Sequence, residues 1–347
     1  MFADTDLRQV AQLSQVGDYP AGLGDAIGGP QSGSWMYTGA LENHPELIDR
    51  WQQTRPLLGN SAEVVRRIRN PELLRAALRN VGLAAPAVRF DCTDLPRDGT
   101  WLAKPRRSAG GTRLSQINEQ WCDTSTTPDE FYFQQRISGT PVAAVYLATT
   151  DEVILLGVTE QLCGAAWGGD SIYRYCGSIG PLNLAPHVTH RFQRVGEALQ
   201  QSFALVGLFG VDAILQDDIV WPVEVNPRYT ASVEVIERAT TFPAVAAHVV
   251  ACQDHALPAR AINSFRPAGK LIVWANSKCV FPAAGGLPAG LHNSLAMPTL
   301  ADIPAAGSVI EAGWPIATVL TDGADLDSVR ASLQQRAAVL RACCFSD

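Results

Sequence analysis

The sequence predicts a mixed α/β (α+β) chain, with a helical front segment, a β-rich middle and a second β-rich region closed by a helix. The hydrophobic pattern has helical periodicity over residues 45–51 and 61–82 and changes beyond Pro86 to short apolar runs bounded by Pro, Gly, Asp and Thr. With 347 residues, 47% hydrophobic and 18% charged, the chain can fill the cores of one large or two to three modest domains, which excludes disorder as its main state. The 27 basic and 34 acidic residues leave a net charge of −7 and no polybasic footprint, so neither nucleic acid nor an anionic lipid surface is an expected partner. No apolar run reaches the ~18 residues of a membrane helix, and Met1–Asp6, with two acids, lacks the parts of a signal peptide. A soluble, cytoplasmic protein is expected.

Each element has a local reason. Residues 22–35 are rich in Gly, Pro and Ser and read as connection. Pro45–Trp51 is helical and stops before Pro56. Ser61 caps a second helix that breaks at Asn70-Pro71 and resumes as an amphipathic helix ended by Gly82. Strands follow at Ala87–Phe90, Trp101–Lys104 and Phe131–Ile137, then a hairpin of Val142–Ala148 and Val153–Val158. The Gly-rich stretch Gly164–Pro181 is too irregular for a turn and reads as a functional or surface loop. His190–Val206 is helical, and Gly210–Val225 gives two strands around Asp217-Asp218. A boundary is expected near Leu257–Arg266. Beyond it lie short strands at Lys270–Trp274, Val309–Glu311 and Ile316–Thr321, and a helix over Leu326–Cys343.

The eight cysteines form no C-x-x-C pair and read as reduced, mostly buried small hydrophobes. His187 and His190 flank a helix start, where capping or solvation is the expected role. Of the 27 basic residues only three are lysines, Lys104, Lys270 and Lys278, so a lysine marks the choice of a compact point charge over a planar fork.

Three segments carry chemistry. In Trp101–Leu114 a lysine leaves a strand and is followed by Arg106, Arg107 and Ser-Ala-Gly-Gly-Thr, a run whose backbone amides can approach a polyphosphate. It is either an anion cradle or an ordinary Gly-containing hairpin. Walker and dinucleotide-binding glycine patterns are absent, as are the H-R-D and D-F-G kinase signatures. In Gly207–Ser232, Glu224 and Asn226 lie two apart on a strand and share a face, where they suit Mg²⁺ held with phosphates. Asp212 on the preceding strand is the third oxygen donor if its register agrees. A plain two-residue turn at Asp217-Asp218 would pair it with Val223, whereas an odd-length loop or a bulge, an irregularity that Pro222 favours, would bring it to the face of Glu224. The alternative is that both acids solvate an exposed hairpin, but the apolar neighbours Val211, Ala213, Val223 and Val225 weigh against it. Arg228 is either a fork at the rim of that site or a surface arginine. Phe131–Val142 offers a strand edge that can read an adenine.

In this order the motifs resemble the ATP-grasp superfamily: strand with Lys-Pro, glycine flap, Q-x-I-x-G hinge (Gln135–Gly139), and Gly-x-x-Gly-Val-Asp (Gly207–Asp212) before Glu-x-Asn-Pro-Arg (Glu224–Arg228). Within it, Tyr37–Trp51, Arg55–Asn60 and Ala301–Gly323 are similar to the predicted ATP-dependent carboligases related to biotin carboxylase. The resemblance implies an ATP-grasp fold with nucleotide between two α+β subdomains, a short α/β pre-domain over residues 1–59, the ATP-grasp domain over 60–257 (subdomains about 60–137 and 138–257), and a biotin-carboxylase-like β-rich region over 258–347. Phe2–Arg8 is similar to the segment after the first strand of the usual pre-domain, which implies that this strand is missing. It further implies that Lys104 contacts the phosphates of ATP, that Gly110 and Gly111 form the flap with Thr112 among the nucleotide-binding residues, and that Gln134, Gln135, Arg136 and Ile137 are the adenine hinge. Gln135 stands where many relatives carry a glutamate. Asp212, Glu224 and Asn226 would hold Mg²⁺, with Mn²⁺ as a substitute, and Arg228 would steady an acyl phosphate.

The implied activity is carboxylate–amine ligation with ADP release, in a methanofuran- or tetrahydromethanopterin-type one-carbon pathway. It would act on a small-molecule carboxylate and an amine, and a homodimer is left open. An ATP-binding module without ligase activity is the rival reading. Asp170–Pro181, with Tyr173, Arg174 and Tyr175, is read either as the substrate-selecting loop or as a disordered insertion.

Overall fold

The computed structural model describes residues 7, 11–14, 16–24, 33–108, 110–121, 130–258, 265–283, 286–287, 291 and 298–345. The expectation for Phe2–Arg8, Leu7 apart, lies outside the described residues, as do Cys122 and part of the 257–266 boundary. The front helices form where the sequence pattern places them, the second and third behind side-chain caps. Helix α1 is Pro45–Gln52. In α2 (Ala62–Ile68) the Ser61 hydroxyl accepts from the Val64 amide, and in α3 (Pro71–Asn80) the Asn70 side chain accepts from Glu72 and Leu73 amides. Pro71 opens α3 because its missing N–H costs nothing in the first turn.

Four strands, β1 (Val88–Arg89), β2 (Asp98–Pro105), β3 (Ser115–Asn118) and β4 (Phe131–Gln135), make a small antiparallel sheet in the order β1-β4-β2-β3. Its alternation sorts the faces. Ala103, Ile117, Phe131 and Phe133 build one core, while Leu102 and Lys104 of β2 and Gln134 of β4 lie on the other face.

The larger sheet has eight strands. β5 (Thr140–Ala148) and β6 (Val153–Cys163) form the predicted hairpin, extended at both ends. β7 (Tyr175–Gly180) follows, where a loop was expected. Helix α4 (Pro186–Phe203) leads to β8 (Gly207–Gln216) and β9 (Ile219–Asn226), then to α5 (Ala231–Thr240) and α6 (Ala244–Gln253), both of which the sequence reading left unassigned. His187 lies inside α4 and bonds Asp218 Oδ2 through Nε2 at 2.7 Å, so it caps nothing. β10 (Ala268–Trp274), β11 (Cys279–Val280), β12 (Leu300–Ala301), β13 (Val309–Ile310), β14 (Pro315–Asp322) and helix α7 (Leu326–Cys344) complete the chain. The order β12-β14-β10-β7-β6-β5-β8-β9 makes β7 the seam through which the C-terminal strands join the middle of the chain. β11 and β13 pair separately.

Helix α4 packs with α2 and α3 on one face of this sheet, where Tyr146 stacks on Phe209 at 4.8 Å and donates its hydroxyl to Phe192 O at 2.8 Å. Residues of α5 and α6 cover the opposite face, and α7 covers β10 and β14. Cys163, Cys176, Cys252, Cys279, Cys343 and Cys344 are free thiols. Among the described residues no helix is long and apolar enough to cross a membrane.

Candidate functional site

Between the two sheets lies a cavity of about 490 Å³. β2 and β4 form one wall, β6 to β9 the other, and the glycine flap and the start of α5 close its ends.

The acidic wall depends on one irregularity. Across the β8–β9 hairpin, Asp217 and Asp218 have positive φ, the signature of a tight two-residue turn, and pairing runs regularly from Gln216↔Ile219 to Ala213↔Pro222. There it slips by one residue, so Asp212 faces Glu224 and Asn226 faces Gly210. Pro222 has no N–H to give the ladder, and the extra residue is Val223. The bulge of the second alternative is what the structure contains, and both carboxylates share one face. It also frees the Val223 carbonyl, which accepts from Lys104 Nζ at 3.1 Å and from Gln134 Nε2 at 3.4 Å. Lys104 also donates to Gln134 Oε1 at 3.1 Å. Burial works against its charge, yet Tyr132, Glu224 and Asp212 outweigh that and hold its pKa above the usual lysine value.

Asp212 accepts from Gln161 Nε2 at 2.8 Å and from Asn226 Nδ2 at 3.1 Å. Burial first, and then the Glu224 carboxylate, raise its pKa; Arg228, the Asn226 bond and Lys104 pull the other way without cancelling the shift. Such a pair gains from a divalent cation, and two carboxylates with one amide oxygen are the hard donors that Mg²⁺ takes. The residues present therefore fit the ion.

Gln134, Gln135, Arg136 and Ile137 all border the cavity. The Gln135 side chain accepts from the Ala87 amide at 3.2 Å and the Arg136 Nε donates to Gly99 O at 2.9 Å, so both brace the edge of the small sheet. Gly110 and Gly111 border the cavity as expected, whereas Thr112 lies outside its lining, where its hydroxyl accepts from Arg174 Nη1 at 3.4 Å.

The flap rests on the segment before β7. Tyr175 N donates to Gly110 O at 3.1 Å and Gln116 Nε2 to the Tyr173 hydroxyl at 2.9 Å. Gly111 has φ +77°, and a Cβ there would lie 1.9 Å from Tyr173 O. Gly111→Ala is expected to push the flap off Tyr173 O at ~1–3 kcal/mol of backbone strain and to lower Tm by a few degrees. A melting curve checks it. The readings of 164–181 divide here. Tyr173 and Tyr175 do border the cavity, but residues 175–180 are a buried strand and neither a loop nor an insertion.

The sequence reading missed several residues at this site. Gln161 holds Asp212 from β6, and Ser232 enters from α5 within a hydroxyl chain. Tyr175 Oη bonds Ser178 Oγ at 2.8 Å, Ser178 bonds Ser232 at 3.3 Å, and Thr159 donates to Ser232 at 3.1 Å. Cys163 borders the cavity too, but burial pushes its thiol up to about 12 and leaves it protonated and unreactive. The largest omission is Glu42. Its carboxylate, buried from solvent, takes the Arg228 fork through Nε at 2.8 Å and also through Nη2. The signal available was an acid in GALENHPEL, among residues noted only as similar to the carboligases.

Two sheets around this cavity make the ATP-grasp fold. Residues 72–232, a little under half of the chain, match the model of the ATP-grasp domain family. It is 26% identical over 215 residues to the carbamoyl phosphate synthase large chain of Mycobacterium sp. (strain JLS), covering 57% of this chain and 19% of that one, so it spans about a fifth of the length of that relative. Among solved structures, a biotin carboxylase from Campylobacter jejuni superposes with a TM-score of 0.69 at 11% identity, covering 92% of this chain and 76% of that one. An L-amino acid ligase from Bacillus licheniformis gives 0.65 at 14%, covering 85% and 76%. Both show the shared fold.

Proposed function

We propose that the protein is an ATP-dependent carboxylate–amine ligase that makes an amide through an acyl phosphate and releases ADP. The observation that carries this reading is the bulge at Val223. It sets Asp212, Glu224 and Asn226 on one face and turns a carbonyl to hold Lys104 against the same cavity. The L-amino acid ligase neighbour offers a precedent for joining a carboxylate to an amine on this fold.

On this reading Gln134–Ile137 hold the adenine, Lys104 and the Gly110-Gly111 backbone orient the phosphates, and Asp212, Glu224 and Asn226 hold Mg²⁺. When bound, the ion neutralises charge on the phosphates. The substrate carboxylate attacks the γ-phosphorus, the bond to the β-phosphate oxygen breaks, and ADP leaves. The amine nitrogen then attacks the acyl carbon, expelling inorganic phosphate and losing a proton to solvent. Arg228, beside Asn226 Oδ1 at 3.2 Å, supplies positive charge where the acyl phosphate forms. Little covalent chemistry falls to side chains, so positioning and charge do the catalysis. The resemblance adds a one-carbon cofactor pathway to this reading, and the sequence composition a cytoplasmic setting.

A screen of ADP release over pairs of carboxylates and amines, with Lys104→Ala as the blank, tests the reading. ADP is expected only when both substrates are present, and Lys104→Ala should weaken ATP about tenfold to a hundredfold, the scale of losing a charge-assisted contact. ADP release indifferent to Lys104 would refute the assignment.

A further inference from the structure

The short turn Leu41–Asn43 brings the front segment onto the phosphate end of the cavity. It is anchored there by Thr38, which bridges Tyr229 just past β9, and by Tyr37, whose hydroxyl donates to Asn60 O at 2.8 Å. Glu42 is 2% exposed, so its charge needs cations nearby. Two arginines supply them. Arg228 donates to Oε1, and Arg69 Nη1 lies 4.0 Å from the same oxygen. Oε2 is buried without a hydrogen-bond partner among the described residues. Asn43 adds to the hold on Arg69, accepting from its Nη2 at 2.9 Å, and its own amide donates to Ser108 O at the base of the flap at 3.4 Å.

Each arginine also stands beside an oxygen of the acidic wall. Arg69 Nη1 is 4.0 Å from Glu224 Oε1, and Arg228 Nη2 is 3.2 Å from Asn226 Oδ1. Both guanidiniums are thus shared between Glu42 and the oxygens assigned to the cation. A guanidinium that moved fully onto Glu224 would occupy its lone pairs and cancel the charge that attracts a divalent ion. Glu42 is the fixed competitor that prevents this.

We propose that Glu42 is a positioning residue: its carboxylate holds Arg228 and Arg69 off Glu224 and Asn226 and so keeps those oxygens open to the divalent cation that accompanies the nucleotide. The proposal rests on the ligase reading of the site. It names a duty for the front segment, which contributes no other carboxylate to the cavity lining among the described residues.

The test uses Mn²⁺ as the probe, titrated into the full chain with ADP and followed by electron paramagnetic resonance. Glu42→Gln is expected to weaken Mn²⁺ binding about tenfold, the size of an ordinary coupling between neighbouring charged groups, while metal-free ADP binding stays at the wild-type level. Glu42→Gln/Arg69→Gln should recover most of the loss, because one of the released competitors is gone. Glu42→Asp, which keeps the charge, should bind Mn²⁺ close to wild type and guards against a Glu42→Gln chain that fails to fold. Equal Mn²⁺ affinity in wild type and Glu42→Gln would overturn the proposal and leave the ligase reading standing. So would parallel losses of ADP and Mn²⁺ that Arg69→Gln makes worse, which mark a purely structural role. A wild-type chain that binds no Mn²⁺ with ADP would overturn both.

Discussion

Glu224→Gln is expected to leave the fold intact and to lower ATP turnover by at least ~10²-fold, the scale of removing one preorganised charge-stabilising group. The fold should survive because the Glu224 side chain is 36% exposed, and its nearest ion-pair partner, Arg69, is 4.0 Å away. Glutamine keeps the shape and loses the charge. The substitution also removes one cause of the raised Asp212 pKa, so Asp212 ionises more readily than before and a misprotonated neighbour cannot explain the loss. What disappears is half of the carboxylate pair that the Val223 bulge assembles. ADP release under the substrate pair found by the screen measures the effect, with circular dichroism melting as the control for folding. Turnover near the wild-type level would show that the acidic wall does not hold the catalytic ion.

The parts legible in the sequence are those whose physics is local. Ser61 and Asn70 announce their helices because a cap is a contact between residues two or three apart. The Asp212–Glu224 alignment could be reduced to two alternatives by counting residues around Asp217-Asp218, and Pro222 pointed to the right one, because register in a tight hairpin is set by parity and by the missing proline donor. Glu42 was out of reach for the opposite reason. Its partner Arg228 is 186 positions away, and nothing in the neighbourhood of either residue encodes their meeting. Thr112, expected among the nucleotide-binding residues, has its hydroxyl turned to Arg174, a contact 62 positions away that the sequence does not encode locally. Residues 175–180 were misread because Gly177 and Gly180 carry weak strand propensity. Pairing with β6 on one side and β10 on the other overrides it.

That seam gives the largest expected stability effect. Gly177 pairs with Leu162 of β6 and Leu271 of β10, and a Cβ built on it would fall 2.1 Å from Lys270 O and 3.0 Å from Leu271 Cα. Both are backbone atoms of a strand paired on its far side with β14, so neither can step aside as a flexible side chain would. Glycine is required here by the closeness of two backbones, which also explains why a weak strand former occupies a central strand. Gly177→Val is expected to cost more than ~3 kcal/mol, beyond the usual range for overpacking, since relief requires parting β7 from β10. Gly39→Ala is the control: Gly39 is exposed, has no positive φ and would meet nothing within 4 Å, so it should change stability by less than ~0.5 kcal/mol. Urea unfolding followed by circular dichroism separates the two, and a Gly177→Val midpoint equal to that of Gly39→Ala would mean that the seam can open without cost. Because Tyr173 and Tyr175 border the cavity and Tyr175 N holds Gly110 O, parting β7 should also loosen the flap, so weaker ATP binding is expected to accompany the lost stability.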